Sequence, residues 1–143
     1  MKTYKGLILN RYDIPDNGIF VFGANTEGRH GKGAALTAYR HFGAEYGNPQ
    51  GPQGRSYAII TKDLGKPAHP SIPRVYIEMQ ISGLYAHAYF NKESDFYIAY
   101  GIGPNLNGYS PKEMADMFSS YPIPDNIVFE EKFSHLLTPT LAT

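Results

Sequence analysis

Two glycine-rich stretches hold the residues best suited to chemistry. The first runs from Gly23 to Gly33 and sets Gly28, Gly31 and Gly33 around Arg29, His30 and Lys32. The second, Gly101 to Tyr109, sets Gly101 and Gly103 ahead of Asn105, Leu106 and Asn107. Glycine lets backbone come close to a ligand, and a loop that opens a helix aims several N–H groups at one point, an arrangement that accepts an anion. Two such loops on one sheet edge suit a diphosphate. The same glycines also suit tight turns that need positive φ, and that alternative stays open. His30 is either a phosphate contact or an ordinary exposed loop histidine.

The spacing excludes several chemistries. Gly23 and Gly28 have the separation of a Walker A loop, but Arg29 stands where that motif requires lysine. Gly28, Gly31 and Gly33 run G-x-x-G-x-G, the reverse of the dinucleotide fingerprint. No G-x-S-x-G elbow is present, and His41, His69, His87 and His135 lack metal-binding spacing, so neither a serine hydrolase nor a zinc site is expected. The absence of cysteine removes thiolate metal sites and a cysteine nucleophile. No cofactor is expected.

The elements that must position the loops follow from local patterns. Ile19 to Phe22 reads as a buried strand, and Ala34 to Phe42 as a helix stopping at Gly43. Gly43 to Gly54 reads as an irregular loop, and Ser56 to Lys62 as a strand. Ser71 is the expected N-cap of a helix reaching about Phe90, with Pro73 in its first turn and Val75, Met79 and Leu84 among its apolar positions. Asp95 to Gly101 is a third strand, and Ser110-Pro-Lys-Glu113 a capping box opening a helix to about Ser119. Ile127 to Phe133 is a last strand, Lys5 to Asn10 a possible first one, and 136–143 a loosely held tail. Alternating strands and helices predict an α/β layer sandwich in one domain spanning 1–143.

Composition narrows the partners. The 143 residues carry 13 Lys and Arg against 13 Asp and Glu, which argues against a broad polyanion-binding face while leaving room for a local basic patch. No apolar run approaches the roughly 20 residues of a membrane span, and Met1 to Tyr12 lacks a signal-peptide core, so a cytoplasmic protein without a membrane partner is expected. The 15 Gly and 11 Pro are too few for disorder, and the glycines fall mainly in three clusters, 23–33, 43–54 and 101–109.

Three blocks in order resemble a known family. Val21-Phe-Gly-Ala-Asn25 with Gly28, Gly31, Gly33 and Ala34-Ala35 resembles the first signature of macrodomains, the ADP-ribose-binding α/β/α modules. Tyr57 to Lys62 resembles the lysine-bearing strand of the branch that removes terminal ADP-ribose from protein or DNA, and Gly101 to Tyr109 resembles the second phosphate loop. The first block is also similar to small bacterial and phage proteins bearing Gly-Arg-His-Gly-x-Gly-Ala-Ala. The resemblance implies a three-layer α/β/α macrodomain-like fold with a mixed central sheet, binding an ADP-ribose-type nucleotide and, through it, an ADP-ribosylated protein or nucleic acid.

It also implies roles. Asn25 would hydrogen-bond the distal ribose, the Gly31 to Ala34 backbone would cradle the diphosphate, and Gly103 to Asn107 would close over the second phosphate. Gly28, Arg29, His30, Lys32, Thr61, Gly101, Asn105, Leu106 and Tyr109 would line the ligand. Lys62 would attack the anomeric carbon of the distal ribose as an unprotonated amine; it is alternatively a ligand contact, or a solvated lysine at a strand end. The family's carboxylate aligns with Asn107, whose amide can orient a hydroxyl but is no base. Asp63, a possible substitute, is set on the opposite strand face by alternation. Pro104 removes one N–H donor from the second loop. Tyr97, Tyr100 and Tyr109 are possible base-stacking residues, with Phe129 or Phe133 the expected adenine contact. Three readings follow: hydrolysis of ADP-ribosyl adducts; binding without turnover, as a sponge or reader; or a structural module with a degenerate pocket.

Overall fold

The computed structural model describes residues 1–103 and 105–138. Its backbone forms strands β1 (Thr3–Tyr4), β2 (Gly18–Asn25), β3 (Gly51–Gln53), β4 (Ser56–Lys62), β5 (Asp95–Ile98) and β6 (Ile127–Glu130). The helices are α1 (Gly33–His41), α2 (Arg74–Tyr89), α3 (Pro111–Phe118) and the single turn α4 (Glu131–Ser134). The strands lie in one sheet of order β1-β6-β5-β2-β4-β3. Every pairing is parallel except β3 with β4, so the sheet is mixed.

Strand alternation divides the core. Val21, Ile59, Phe96, Ile98, Ile127 and Phe129 point to one face, where α2, α3 and α4 cover them with Ile77, Ile81, Leu84, Met114, Phe118 and Phe133. Phe20, Phe22 and Ala58 point to the other face, beneath α1. There Ala35 and Ala38 let the helix sit close, and Phe42 stacks on Phe20 at 4.7 Å between ring centroids. The result is a three-layer α/β/α sandwich, as expected.

Several boundaries differ from the sequence reading. The first strand is Thr3–Tyr4 rather than 5–10, because Tyr4 buries its ring and donates its hydroxyl to the Ile98 carbonyl at 2.6 Å. The supposed loop 43–54 contains β3, and Gly43 and Gly54 meet backbone to backbone, leaving no room for a side chain on Gly54. Pro73, not Ser71, caps α2; the Ser71 hydroxyl instead accepts from the Asp63 N–H at 2.8 Å. Val75 and Met79 face solvent, while Ile77, Gln80, Ile81 and Leu84 form the inner face. The fifth strand ends at Ile98, and the last at Glu130, whose carboxylate caps α4 by accepting from the Phe133 N–H. The capping box at Ser110 and Glu113 is present in both directions. Leu136 and Leu137 pack on the core and the Thr138 N–H donates to the Ser119 hydroxyl, so 136–138 are docked rather than loose. The remainder of the expected tail, 139–143, lies outside the described residues.

One buried contact fixes the strand end that carries Lys62. The short β3 pairs with β4 only as far as Ala58, which leaves Ile60 without a strand neighbour on that edge. Gln80 on α2 supplies the missing partner: its Oε1 accepts from the Ile60 N–H at 2.7 Å and its Nε2 donates to the Ile60 carbonyl at 2.8 Å. Gln80→Leu leaves both backbone groups unpaired and is expected to lower stability by about 2–4 kcal/mol in urea unfolding. An unchanged midpoint would contradict this assignment.

Candidate functional site

β2, β4 and β5 run in parallel, so the loops that follow them gather at one edge of the sheet. A cavity of about 370 Å³ opens there, with Asn25, Arg29, Lys32, Thr61, Lys62 and Asn107 in its walls. An adjoining space of about 230 Å³ shares Lys32, Thr61 and Asn107 and adds Gly33, Ala34 and Asn105. Ala34 and Ala99 also line a third space of about 510 Å³, which reaches past Gly101 and Gly103 to β1 and β6. Together the three form a groove across the strand ends.

The first loop is shaped by Asn25. Its Oδ1 accepts from the N–H groups of Glu27 and Arg29, and its Nδ2 donates to the Arg29 carbonyl at 2.9 Å. The amide thus closes the turn, with one amide hydrogen left over. Helix α1 begins without a side-chain cap or an acidic residue in its first turn. Among the described residues, nothing accepts the N–H groups of Gly31, Lys32, Gly33 or Ala34. A Cβ on Gly31 or Gly33 would meet no protein atom, so the space above these amides is open. Uncapped N–H groups at a helix N-terminus attract anions.

The second loop is held from its far end. Asn107 Oδ1 accepts from the Tyr109 N–H at 2.9 Å, and Asn105 Nδ2 donates to the Tyr109 carbonyl at 3.0 Å. Asn107 is 4% exposed, with its Nδ2 3.5 Å from Met114 Sδ. Asn107 is therefore a buried turn former as well as a wall of the groove. Leu106 projects outward beside it. Pro104 lies outside the described residues.

Between the loops lies a polar floor. The buried Tyr100 hydroxyl meets the side chains of Thr61 and Asn107. A Cβ on residue 23 would collide with the Tyr100 hydroxyl and press on Thr61 Oγ1, so a larger residue there would displace both side chains. Burial pushes the Tyr100 pKa up to about 12, with the hydrogen bonds to Thr61 and Asn107 drawing it partly back. The phenol stays protonated across the physiological range.

Lys62 ends β4, half-buried, opposite Asn25. The β2–β4 register slips by one residue just before this pair, passing from Ala24↔Ile60 to Asn25↔Lys62. Strict alternation sends neighbours to opposite faces, yet Thr61 and Lys62 both reach the cavity through this irregularity. Asp63 does not join them. Its Oδ1 accepts from the Gly65 N–H at 2.8 Å inside its own loop and faces Thr26 of the first loop. The described lining of the 370 Å³ cavity thus holds three cations, Arg29, Lys32 and Lys62, and no carboxylate. Arg29 also pairs with Glu27 at 3.0 Å on the surface.

Not every expected residue reaches the groove. His30 is fully buried, its Nε2 3.1 Å from the Asn48 carbonyl and its ring edge-on to Phe22, so it fastens the loop from beneath. Gly28 has φ +65° and packs against the Gly47–Asn48 backbone, where a Cβ would stand 2.6 Å from Asn48 N. Tyr109 turns away and donates its hydroxyl to the Ile72 carbonyl at 2.6 Å. Phe129 and Phe133 pack on one another in the core with no exposed surface, which removes both as adenine contacts. Conversely, Tyr46 and Leu64 line the cavity unforeseen. An aromatic within a glycine-rich segment was the only signal for Tyr46.

The raised tyrosine pKa values have a measurable consequence. Burial raises Tyr4, Tyr57, Tyr85 and Tyr100 alike. Above about pH 10 the unfolded chain loses phenolic protons that the folded chain keeps, so the native state binds more protons and stability falls as pH rises. The thermal midpoint is expected to lose this contribution between about pH 10 and pH 12, and Tyr100→Phe to soften the fall. A midpoint independent of pH in that window would contradict the burial.

No family model, curated protein or solved structure matches the chain, so what the groove holds has to be argued from its own residues.

Proposed function

We propose that this chain binds a nucleotide of the ADP-ribose type along the groove. The observation that carries the reading is the row of N–H groups from Gly31 to Ala34 that no described residue accepts, set between an apolar space at one end and a cationic cavity at the other. A diphosphate over those amides would be bound by backbone dipoles rather than by a field of side-chain charge, in keeping with a chain of zero net charge. The adenine would lie in the space beside β1 and β6, against Ile8, Phe20, Ala34 and Ile102. The distal ribose would then face the remaining Asn25 amide hydrogen, Thr61 and Lys62. An ADP-ribosylated protein or nucleic acid would present the same group.

The catalytic form of this reading uses Lys62. Its unprotonated Nζ would bond to the anomeric carbon as the bond to the adducted group breaks; that group leaves with a proton, and water then releases ADP-ribose and restores the amine. A second reading, retention without turnover, is favoured by the lack of a carboxylate in the described cavity lining.

Calorimetric titration with ADP-ribose is expected to give one-to-one binding in the micromolar range or tighter; no heat would remove the reading. Gly31→Glu sets a carboxylate in the open space over the amides and is expected to weaken binding at least about tenfold at an unchanged melting temperature. Lys62→Ala is expected to abolish release of ADP-ribose from a modified protein while largely preserving binding. Undiminished release would exclude the nucleophile, and no release by the unaltered chain would leave the binder.

A further inference from the structure

Tyr46 lines the cationic cavity and is 58% exposed, yet neither anion-binding loop uses it. Its ring stands edge-on to Tyr39 at 5.7 Å and to the buried His30 at 6.1 Å. The segment beneath it is tied down at several points. The Gly47 N–H donates to the Gly28 carbonyl at 2.8 Å, and His30 Nε2 lies 3.1 Å from the Asn48 carbonyl. Gln53 accepts from the Glu45 N–H at 2.8 Å and donates to the Asn48 carbonyl at 3.1 Å. Backbone contact between Gly28 and Gly47–Asn48 joins this segment to the first loop, so the wall carrying Tyr46 and the amides of α1 form one unit.

An aromatic held in place at a cavity mouth offers a stacking face at little cost in side-chain entropy. The cavity's charge is all cationic, while the rest of its large side chains, Tyr46, Leu64 and Leu106, are apolar or aromatic. These suit a flat group attached beyond the sugar that faces Lys62. We propose that Tyr46 stacks on a heteroaromatic ring carried by the anomeric carbon of the distal ribose. The favoured ligands are then ring-bearing N-glycosides of ADP-ribose rather than ADP-ribose with a free anomeric hydroxyl. The inference rests on the reading that the groove binds an ADP-ribose-type nucleotide. The ring is either a nicotinamide, whose positive charge the three cavity cations oppose, or an uncharged nucleobase, and both present a flat face.

Calorimetry on the full chain, Tyr46→Ala and Tyr46→Phe, each with ADP-ribose, NAD and diadenosine diphosphate, tests this. At least one ring-bearing ligand is expected to bind the unaltered chain about tenfold more tightly than ADP-ribose. Tyr46→Ala is expected to erase that advantage while leaving ADP-ribose within about twofold, and Tyr46→Phe to keep it. Whichever of NAD and diadenosine diphosphate gains more from Tyr46 identifies the ring as nicotinamide or nucleobase. Equal binding of all three ligands by the unaltered chain, or an equal loss for all three in Tyr46→Ala, would overturn the stacking role while the nucleotide reading stands. If none of the three binds the unaltered chain, the nucleotide reading falls and this inference with it.

Discussion

The molecule is organised by the parallel pairing of β2 with β4 on one side and β5 on the other. A strand paired on both sides and covered on both faces ends without partners for its onward backbone, and its neighbours end beside it at the same edge. Each must leave through a loop, and each loop inherits unsatisfied N–H groups. Asn25 satisfies part of the first loop with its own amide, and the capping box at Ser110 closes the exit of the second. What remains open is the start of α1. The position of Lys62, the tight seat of Gly23 under Tyr100 and the wall that carries Tyr46 all depend on how this edge is closed.

Much of this edge was legible in the sequence because it rests on local chemistry. The apolar run at Ile19 to Phe22, the glycines before Ala34 and the Ser-Pro-x-Glu signal each specify a short-range conformation, and the alternation of elements specifies the layers. What was not legible depends on tertiary contact. His30 sits between charged and glycine neighbours and reads as a surface residue, but the backbone contact of Gly28 with Asn48 turns its ring inward against Phe22. The register slip before Lys62 has no local signature, and without it Thr61 and Lys62 would face opposite ways. Nothing in the sequence around Gln80 signals that the end of β3 leaves a backbone gap, which its inward amide fills. The segment 43–54 reads as loop because of its glycines and prolines, and the backbone contact of Gly43 with Gly54 that shapes it has no periodic signal.

The electrostatics of the groove follow from the same economy of charge. Uncharged polar groups line much of the groove: backbone N–H groups, the Asn25 amide, and a Tyr100 phenol kept protonated by burial. The cations Arg29, Lys32 and Lys62 cluster at one end without an acidic partner inside the cavity. The described lining offers no carboxylate to act as a general base.

The central claim is that the backbone at the start of α1 holds the diphosphate, and amide chemical shifts report it most directly. In a nitrogen–proton correlation spectrum recorded during titration with ADP-ribose, the largest shifts are expected at the N–H groups of Gly31, Lys32, Gly33 and Ala34, with further shifts at Gly101 and Gly103. A spectrum unchanged at saturating ligand, or shifts gathered on other elements with these amides unmoved, would contradict the account.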